Sequence, residues 1–173
     1  ADLGLNLPDF RSAERTFQLL TQVAGRAGRG EKPGRVLIQT NNPHHHSLRT
    51  AQLQDYESFV SQELPLRERF RQPPFMSLAS VLCISRDEHR AKDLALSLRQ
   101  NLRSNGLGQV ICQGPAEAPI RRINHRFRWQ VLIKASSAGL IRKIFEKSLL
   151  GPEPLICSRE ENIILDIDPQ HLM

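Results

Sequence analysis

Pro73-Pro74 constrains this chain more than any other feature of its sequence. Two successive prolines have fixed φ angles and no backbone N–H, so neither a helix nor a central strand runs through them. The hydrophobic pattern changes at the same place, which predicts two domains, 1–72 and 73–173. After the pair, "MSLASVLCIS" reads as a strand. "RDEHRAKDLALSLRQNLRSNG" reads as an amphipathic helix with Ala91, Leu94, Ala95, Leu98 and Leu102 inward and Gly106 as its stop. "QVICQGPAEAPI" is a second strand running into a proline-bounded loop, and "FRWQVLIKA" is a third strand. "SSAGLIRKIFEKSLL" is a helix capped by Ser136 or Ser137, "GPEP" a turn and "NIILDIDP" the last strand. The order β-α-β-β-α-β fits a ferredoxin-like two-layer sandwich of the α+β class, with both helices on one face of an antiparallel sheet.

Before the prolines the pattern is mostly helical. "RSAERTFQLLTQVA" carries apolar residues at Phe17, Leu19, Leu20, Val23 and Ala24, which predicts a helix from about Ser12 to Gly25. "GRGEKPG" is a turn, and "RVLIQT" reads as a short buried strand. The next helix is expected to bury Leu48, Ala51, Tyr56, Phe59 and Val60. "RERFRQPPF" is either a basic linker lying on DNA or a solvated connector pinned by Phe70 and Phe75.

Within "QVAGRAGRG", Gln22 to Gly30, each helical glycine costs up to about 1 kcal/mol relative to alanine. Glycine admits the close approach of another backbone or a nucleotide. Arg26 and Arg29, three residues apart, carry planar, permanently charged forks that match phosphate oxygens. Such arginines can stabilise a transferring phosphoryl group, with Gln22 reaching a neighbouring phosphate or water. The competing reading is a basic helix end that complements the helix dipole.

A second basic cluster is "RRINHRFRWQ", with Arg121, Arg122, Arg126 and Arg128, and no acid from Ala118 to Ile133. Arginines track phosphates and aromatic side chains stack on bases. Strand alternation puts Phe127 and Trp129 on one face and Arg126 and Arg128 on the other, which predicts one buried and one basic face. Trp129 is either a core residue beneath the helices or part of a DNA surface. The run His44 to His46 has no ligand-spaced carboxylate or cysteine beside it in sequence, so it reads as the polar first turn after Pro43 and not as a metal site. Asp166 and Asp168 share a strand face, and a solvated edge explains them without catalysis.

The net charge of +6 and pI near 9.8 favour an anionic partner. Three well-separated cysteines without CxxC spacing argue against a disulfide framework or zinc site and point to a reducing cytoplasm. No apolar run reaches the length of a membrane span, and the first residues do not form a signal peptide. The absence of an initiator Met points to a fragment or a processed chain.

"QVAGRAGRG" resembles motif VI of superfamily-two helicases. With "LPDFRSAERTFQLLT" before it, then "GRVLIQT", "QPPF", "WQVLIKA" and "LDIDP" in order, the whole chain resembles the C-terminal part of one family, the PriA (primosomal protein N′) replication-restart DNA helicases. The resemblance implies a cytoplasmic, ATP-dependent 3′-5′ DNA helicase parent that acts at stalled forks in primosome assembly. It implies that residues 1–72 end a second RecA-like lobe and that 73–173 bind DNA and partners. By position, Gln22, Arg26 and Arg29 match motif VI, with Gly25 and Gly28 as its glycines; Asp2 and Gly4 fall near a truncated motif V. The arginines would meet the ATP γ-phosphate. ATP and Mg²⁺ belong to the full-length parent, and the family's zinc cysteines lie outside this segment. The implied partners are forked, single-stranded and duplex DNA, single-stranded-DNA-binding protein and other primosome proteins, with no membrane. No G-x-x-x-x-G-K-[ST] loop occurs here, so the chain alone is expected to bind DNA without hydrolysing ATP. The alternative from another class is a protein-interaction module with little DNA affinity. An RNA-binding sheet is a weaker option, because the aromatic pair of such strands is absent.

Overall fold

The computed structural model describes residues 2–27, 35–150, 155 and 157–172. The fold is mixed α/β with a four-stranded antiparallel sheet. The chain forms two compact units, Ala1–Phe70 and Arg71–Met173. The turns expected at "GRGEKPG" and at "GPEP" lie outside the described residues.

The first unit is helical: α1 (Asp2–Leu5), α2 (Ser12–Ala27), α3 (His46–Leu53) and α4 (Tyr56–Arg69). Its core is Phe17 of α2 with Ala51 of α3 and Phe59 of α4. Phe17 and Phe59 stack with ring centroids 4.5 Å apart, and His46 stacks on Phe59 at 5.6 Å. Polar groups lock the same three helices. Arg67 donates to Glu63 at 2.8 Å and to Glu14 at 2.8 Å, and the His46 ring shares a 2.9 Å hydrogen bond with Glu63.

Three expectations for this unit need correction. α2 runs past Gly25 to Ala27, because one glycine weakens a helix without ending it. The helix expected through Tyr56 is two helices. Gln54 turns left-handed at φ 52°, and the Asp55 carboxylate caps the next helix by accepting from the Ser58 N–H at 3.0 Å. The break leaves Tyr56 63% exposed. Residues 35–40 form no strand, and Leu37 is 92% exposed. An extended segment becomes a strand only with a partner, and no strand lies among the described residues of this unit. Instead Asp2 accepts from Thr40 and Asn41, which holds its carboxyl below the usual value.

The second unit contains β1 (Ser77–Ser85), α5 (Glu88–Gly106), β2 (Val110–Ile123), β3 (Arg126–Ala135), α6 (Ala138–Leu150) and β4 (Asn162–Ile167). The strand order is β2-β3-β1-β4. Ala79, Val81 and Cys83 of β1 and Val131, Ile133 and Ala135 of β3 alternate onto one face and are 0% exposed. Leu94, Ala95, Leu98 and Leu102 of α5 and Ile141, Ile144 and Phe145 of α6 cover that face. Burial pushes the Cys83 thiol up to about 12, so it stays a neutral core residue. Asp87 caps α5 by accepting from the His89 N–H at 2.8 Å, and Ser137 caps α6 by accepting from Leu140 at 3.2 Å.

Gly106 is the last residue of α5 and does not supply the left-handed stop; Leu107 does, at φ 43°. Glycine is needed at 106 for packing, since a Cβ there would lie 2.4 Å from Val110 Cγ2.

Burial alone would raise the Glu63 carboxyl, but the hydrogen bonds from His46 and Arg67 and the charge of Arg67 outweigh it and hold it low. A carboxyl lowered by folding contributes stability above its unfolded value near 4.5, and that stability is lost as pH falls through the folded value. Protection of α3 and α4 amides against hydrogen exchange is therefore expected to drop in acid. Glu63→Ala should remove about 1–3 kcal/mol of that protection at pH 7, because His46 loses its partner and Arg67 loses one of its two carboxylates. Equal protection in variant and parent at pH 7 would refute the role given to this network.

Candidate functional site

Arg121 and Arg122 were expected in a loop; they sit at the end of a strand. β2 continues through Pro115 and Pro119 to Ile123. It is an edge strand, and its register slips between Gln113 and Ala116 and again between Glu117 and Arg122. Prolines are tolerated at edges and irregularities because no ladder donor is required there. Arg122 pairs with Phe127 and Ile123 with Arg126 across a tip formed by Asn124 (φ 49°) and His125 (φ 60°). Two consecutive positive φ values are what a tight two-residue hairpin turn requires. The basic cluster is thus a β-hairpin end.

Along β3, Phe127 and Trp129 do face one way and Arg126 and Arg128 the other. Both aromatics are half-buried, and Trp129 packs against the main core. The Trp129 indole N–H is shielded from solvent and has no hydrogen-bond partner among the described residues. The Lys92 ammonium of α5 lies 5.4 Å from the ring centroid. The expectation of one buried and one basic face needs correction, because Arg122 lies opposite Phe127 and so shares its face. The Arg122 guanidinium is 4.8 Å from the Phe127 centroid and that of Arg121 is 5.9 Å away. Positive charge therefore flanks both sides of the hairpin.

The four arginines differ in how they are held. Arg121 donates to Glu88 of α5 at 2.6 Å and lies 3.6 Å from Glu117; the hydrogen bond to Glu88 and the two carboxylates raise its already high pKa. Nothing in the sequence around Arg121 signalled Glu88, which belongs to another element. Arg128 donates to the Ile120 carbonyl at 3.3 Å. Arg122, Arg126 and Arg128 have no carboxylate partner among the described residues.

In the first unit, Gln22 and Arg26 stand one turn apart on α2, and both are exposed. With Thr21 and Gly25 they line a concavity of about 410 Å³. A Cβ at Gly25 would meet nothing within 4 Å. Gly28 and Arg29 lie outside the described residues. Gly4 packs against α2, where a Cβ would come 3.0 Å from Thr16 Oγ1. His45 caps α3 by accepting from the Ser47 N–H, and His46 meets Glu63. No group of three metal-ligating side chains occurs among the described residues. Asp166 and Asp168 are exposed, the first on edge strand β4 and the second just after it.

Residues 68–170, more than half of the chain, match the family model described as primosomal protein N C-terminal domain. The chain is similar to the replication restart protein PriA of Bacillus subtilis (strain 168), 39% identical over 173 residues, covering 100% of the chain and 22% of that protein. The replication restart protein PriA of Synechocystis sp. is 40% identical over 171 residues, covering 98% of the chain and 20% of that protein. That of Treponema pallidum (strain Nichols) is 41% identical over 145 residues, covering 83% and 22%. The chain spans about a fifth of the length of the curated relatives it matches.

The open space around Gly25 means that the fold of this chain does not need glycine there. Gly25→Ala is expected to stabilise α2 by up to about 1 kcal/mol, read as slower amide exchange in that helix. A destabilised α2 would show that the glycine is held by packing within the chain.

Proposed function

The chain belongs to the primosomal protein N C-terminal domain family, and from that premise we propose that it is the C-terminal part of an ATP-dependent helicase that restarts stalled replication forks. The observation that carries the reading is the hairpin at Arg121–Arg128, where three arginines without carboxylate partners among the described residues project around a tight turn. Their role is to contact DNA phosphates at the fork. An arginine fork donates to two phosphate oxygens at once, and phosphate contacts hold position without reading sequence. Arg121, tied to Glu88, sets the angle of the hairpin on α5. The half-buried Phe127 and Trp129 stiffen it.

In the first unit the proposal makes residues 1–72 the end of a RecA-like lobe. Gln22 and Arg26 are exposed donors beside an open glycine, a set that suits the terminal phosphate of ATP. Arg26, and Arg29 by position, would stabilise charge developing on the transferred group. The chain has no phosphate-cradling G-x-x-x-x-G-K-[ST] loop, so these side chains act on ATP held by the remainder of the parent. The chain alone binds DNA without ATP turnover.

A second reading is a docking module for single-stranded-DNA-binding protein or another primosome component. It is favoured by the sheet face opposite the helices, where Leu82, Ile164, Gln130 and Arg128 line a concavity of about 220 Å³. Ile164 is 48% exposed there.

The two readings separate on salt. Forked DNA should bind the chain at low salt, and the affinity should fall steeply between about 50 and 200 mM salt. Arg122→Gln/Arg126→Gln/Arg128→Gln should flatten the slope of log affinity against log salt by about two to three, measured by fluorescence anisotropy. Arg121 is left in place so that its pair with Glu88 survives. No binding at low salt, or a slope unchanged by the triple substitution, would move the function of the second unit to protein docking.

A further inference from the structure

α5 carries a second row of positive charge that the hairpin does not account for. Lys92, Leu96, Arg99 and Arg103 follow one another at i, i+4, i+7 and i+11, the spacing of a single helix face. Lys92 and Arg103 are exposed, Leu96 is 43% exposed and Arg99 is half-buried. Other basic residues at this end of the unit are neutralised: Arg86 meets Glu160 at 3.1 Å and Arg90 meets Glu161 at 2.9 Å. None of the three stripe cations has an ion pair among the described residues. The Arg99 Nε is shielded from water and without a partner among them, so contact to an incoming acceptor falls to the outer nitrogens of that guanidinium.

The row lies along the β2 edge of the sheet. Lys92 sits over Trp129, opposite Glu117 in register, and Glu117 itself faces Arg121. Arg103 and Arg99 both act on the Cys112 thiol of β2, lowering a value that burial pushes up. At its other end α5 grips the hairpin through Glu88 and Arg121. The cations of α5 therefore share one side of the unit with Arg121 and Arg122 of the hairpin, joined at Trp129 and Phe127, while Arg126 and Arg128 point to the other face.

We infer that the Lys92–Arg99–Arg103 face of α5 is a second phosphate-contact surface, continuous with the hairpin, along which a nucleic-acid strand runs toward the C-terminal end of the helix. The inference rests on the nucleic-acid reading of the hairpin and extends its footprint. Eleven helical residues span about 16 Å. A strand presents one phosphate per ~3.4 Å of axis, so the row faces about five phosphates, enough for three charged contacts. Leu96, between the cations, meets the sugar edge without competing for charge.

The test uses the whole chain and a labelled forked DNA whose arms are long enough to pass both surfaces. Lys92→Gln/Arg99→Gln/Arg103→Gln should weaken binding about tenfold at low salt and reduce the salt slope by about two to three. Lys92→Gln/Arg103→Gln, which spares the half-buried Arg99, should give about two-thirds of that change in slope. Arg142→Gln/Lys143→Gln/Lys147→Gln on α6 removes the same charge from another helix and should change the slope by less than one. Parent-like slopes in both α5 variants, with binding lost in the hairpin variant, overturn the α5 surface while leaving the hairpin reading intact. Equal losses for α5 and α6 variants overturn it as general electrostatics. No DNA binding by the unsubstituted chain overturns both.

Discussion

Val81 and Val131 face each other across the β1–β3 pair, and both lie fully buried under α5 and α6. This one-sided packing decides the rest of residues 71–173. Because β1 and β3 put small or branched residues on one face, both helices pack there; on the opposite face Leu78, Ser80 and Lys134 are also buried, and the Leu172 carbonyl accepts from Gln130. β2 and β4 become the edges. Only an edge strand tolerates prolines and register slips of the kind β2 carries, and only because of those does β2 run on to form a hairpin beyond the helical layer. The proposed DNA contacts depend on a projection that the central pair makes possible.

Charge is arranged on that frame with a consistent logic. Arg121 is matched to acids, so it orients the projection; Arg122, Arg126 and Arg128 have none among the described residues. An exposed ion pair contributes little to stability, so the Arg121–Glu88 contact matters for geometry more than for folding energy. In the first unit the opposite holds. Glu63 is 6% exposed and is held by the Arg67 guanidinium and the His46 ring, so removing Arg67 strands a buried carboxylate.

Much of the second unit was legible because its helices and central strands repeat their apolar residues at the helical and strand periods. The five inward positions of α5 follow directly from that spacing. The hairpin was not legible, since Pro115 and Pro119 are ordinary loop signals and only edge placement, a tertiary property, lets a strand pass through them. The left-handed residues Gln54 and Leu107 were missed for a related reason: neither is a residue type that favours that conformation, and each sits where a helix ends. "RVLIQT" has strand composition, but pairing partners and not composition make a strand. The α5 stripe escaped notice because charges on the outer face of an amphipathic helix look like solvation until their partners are known to be missing.

The measurement that bears most directly on the account is a backbone amide NMR titration of the chain with forked DNA. The account predicts shifts concentrated at residues 121–128 and along Lys92, Arg99 and Arg103, with α6 and β4 unchanged. Perturbations confined to the sheet face around Leu82 and Ile164, or absent at the hairpin, would contradict it.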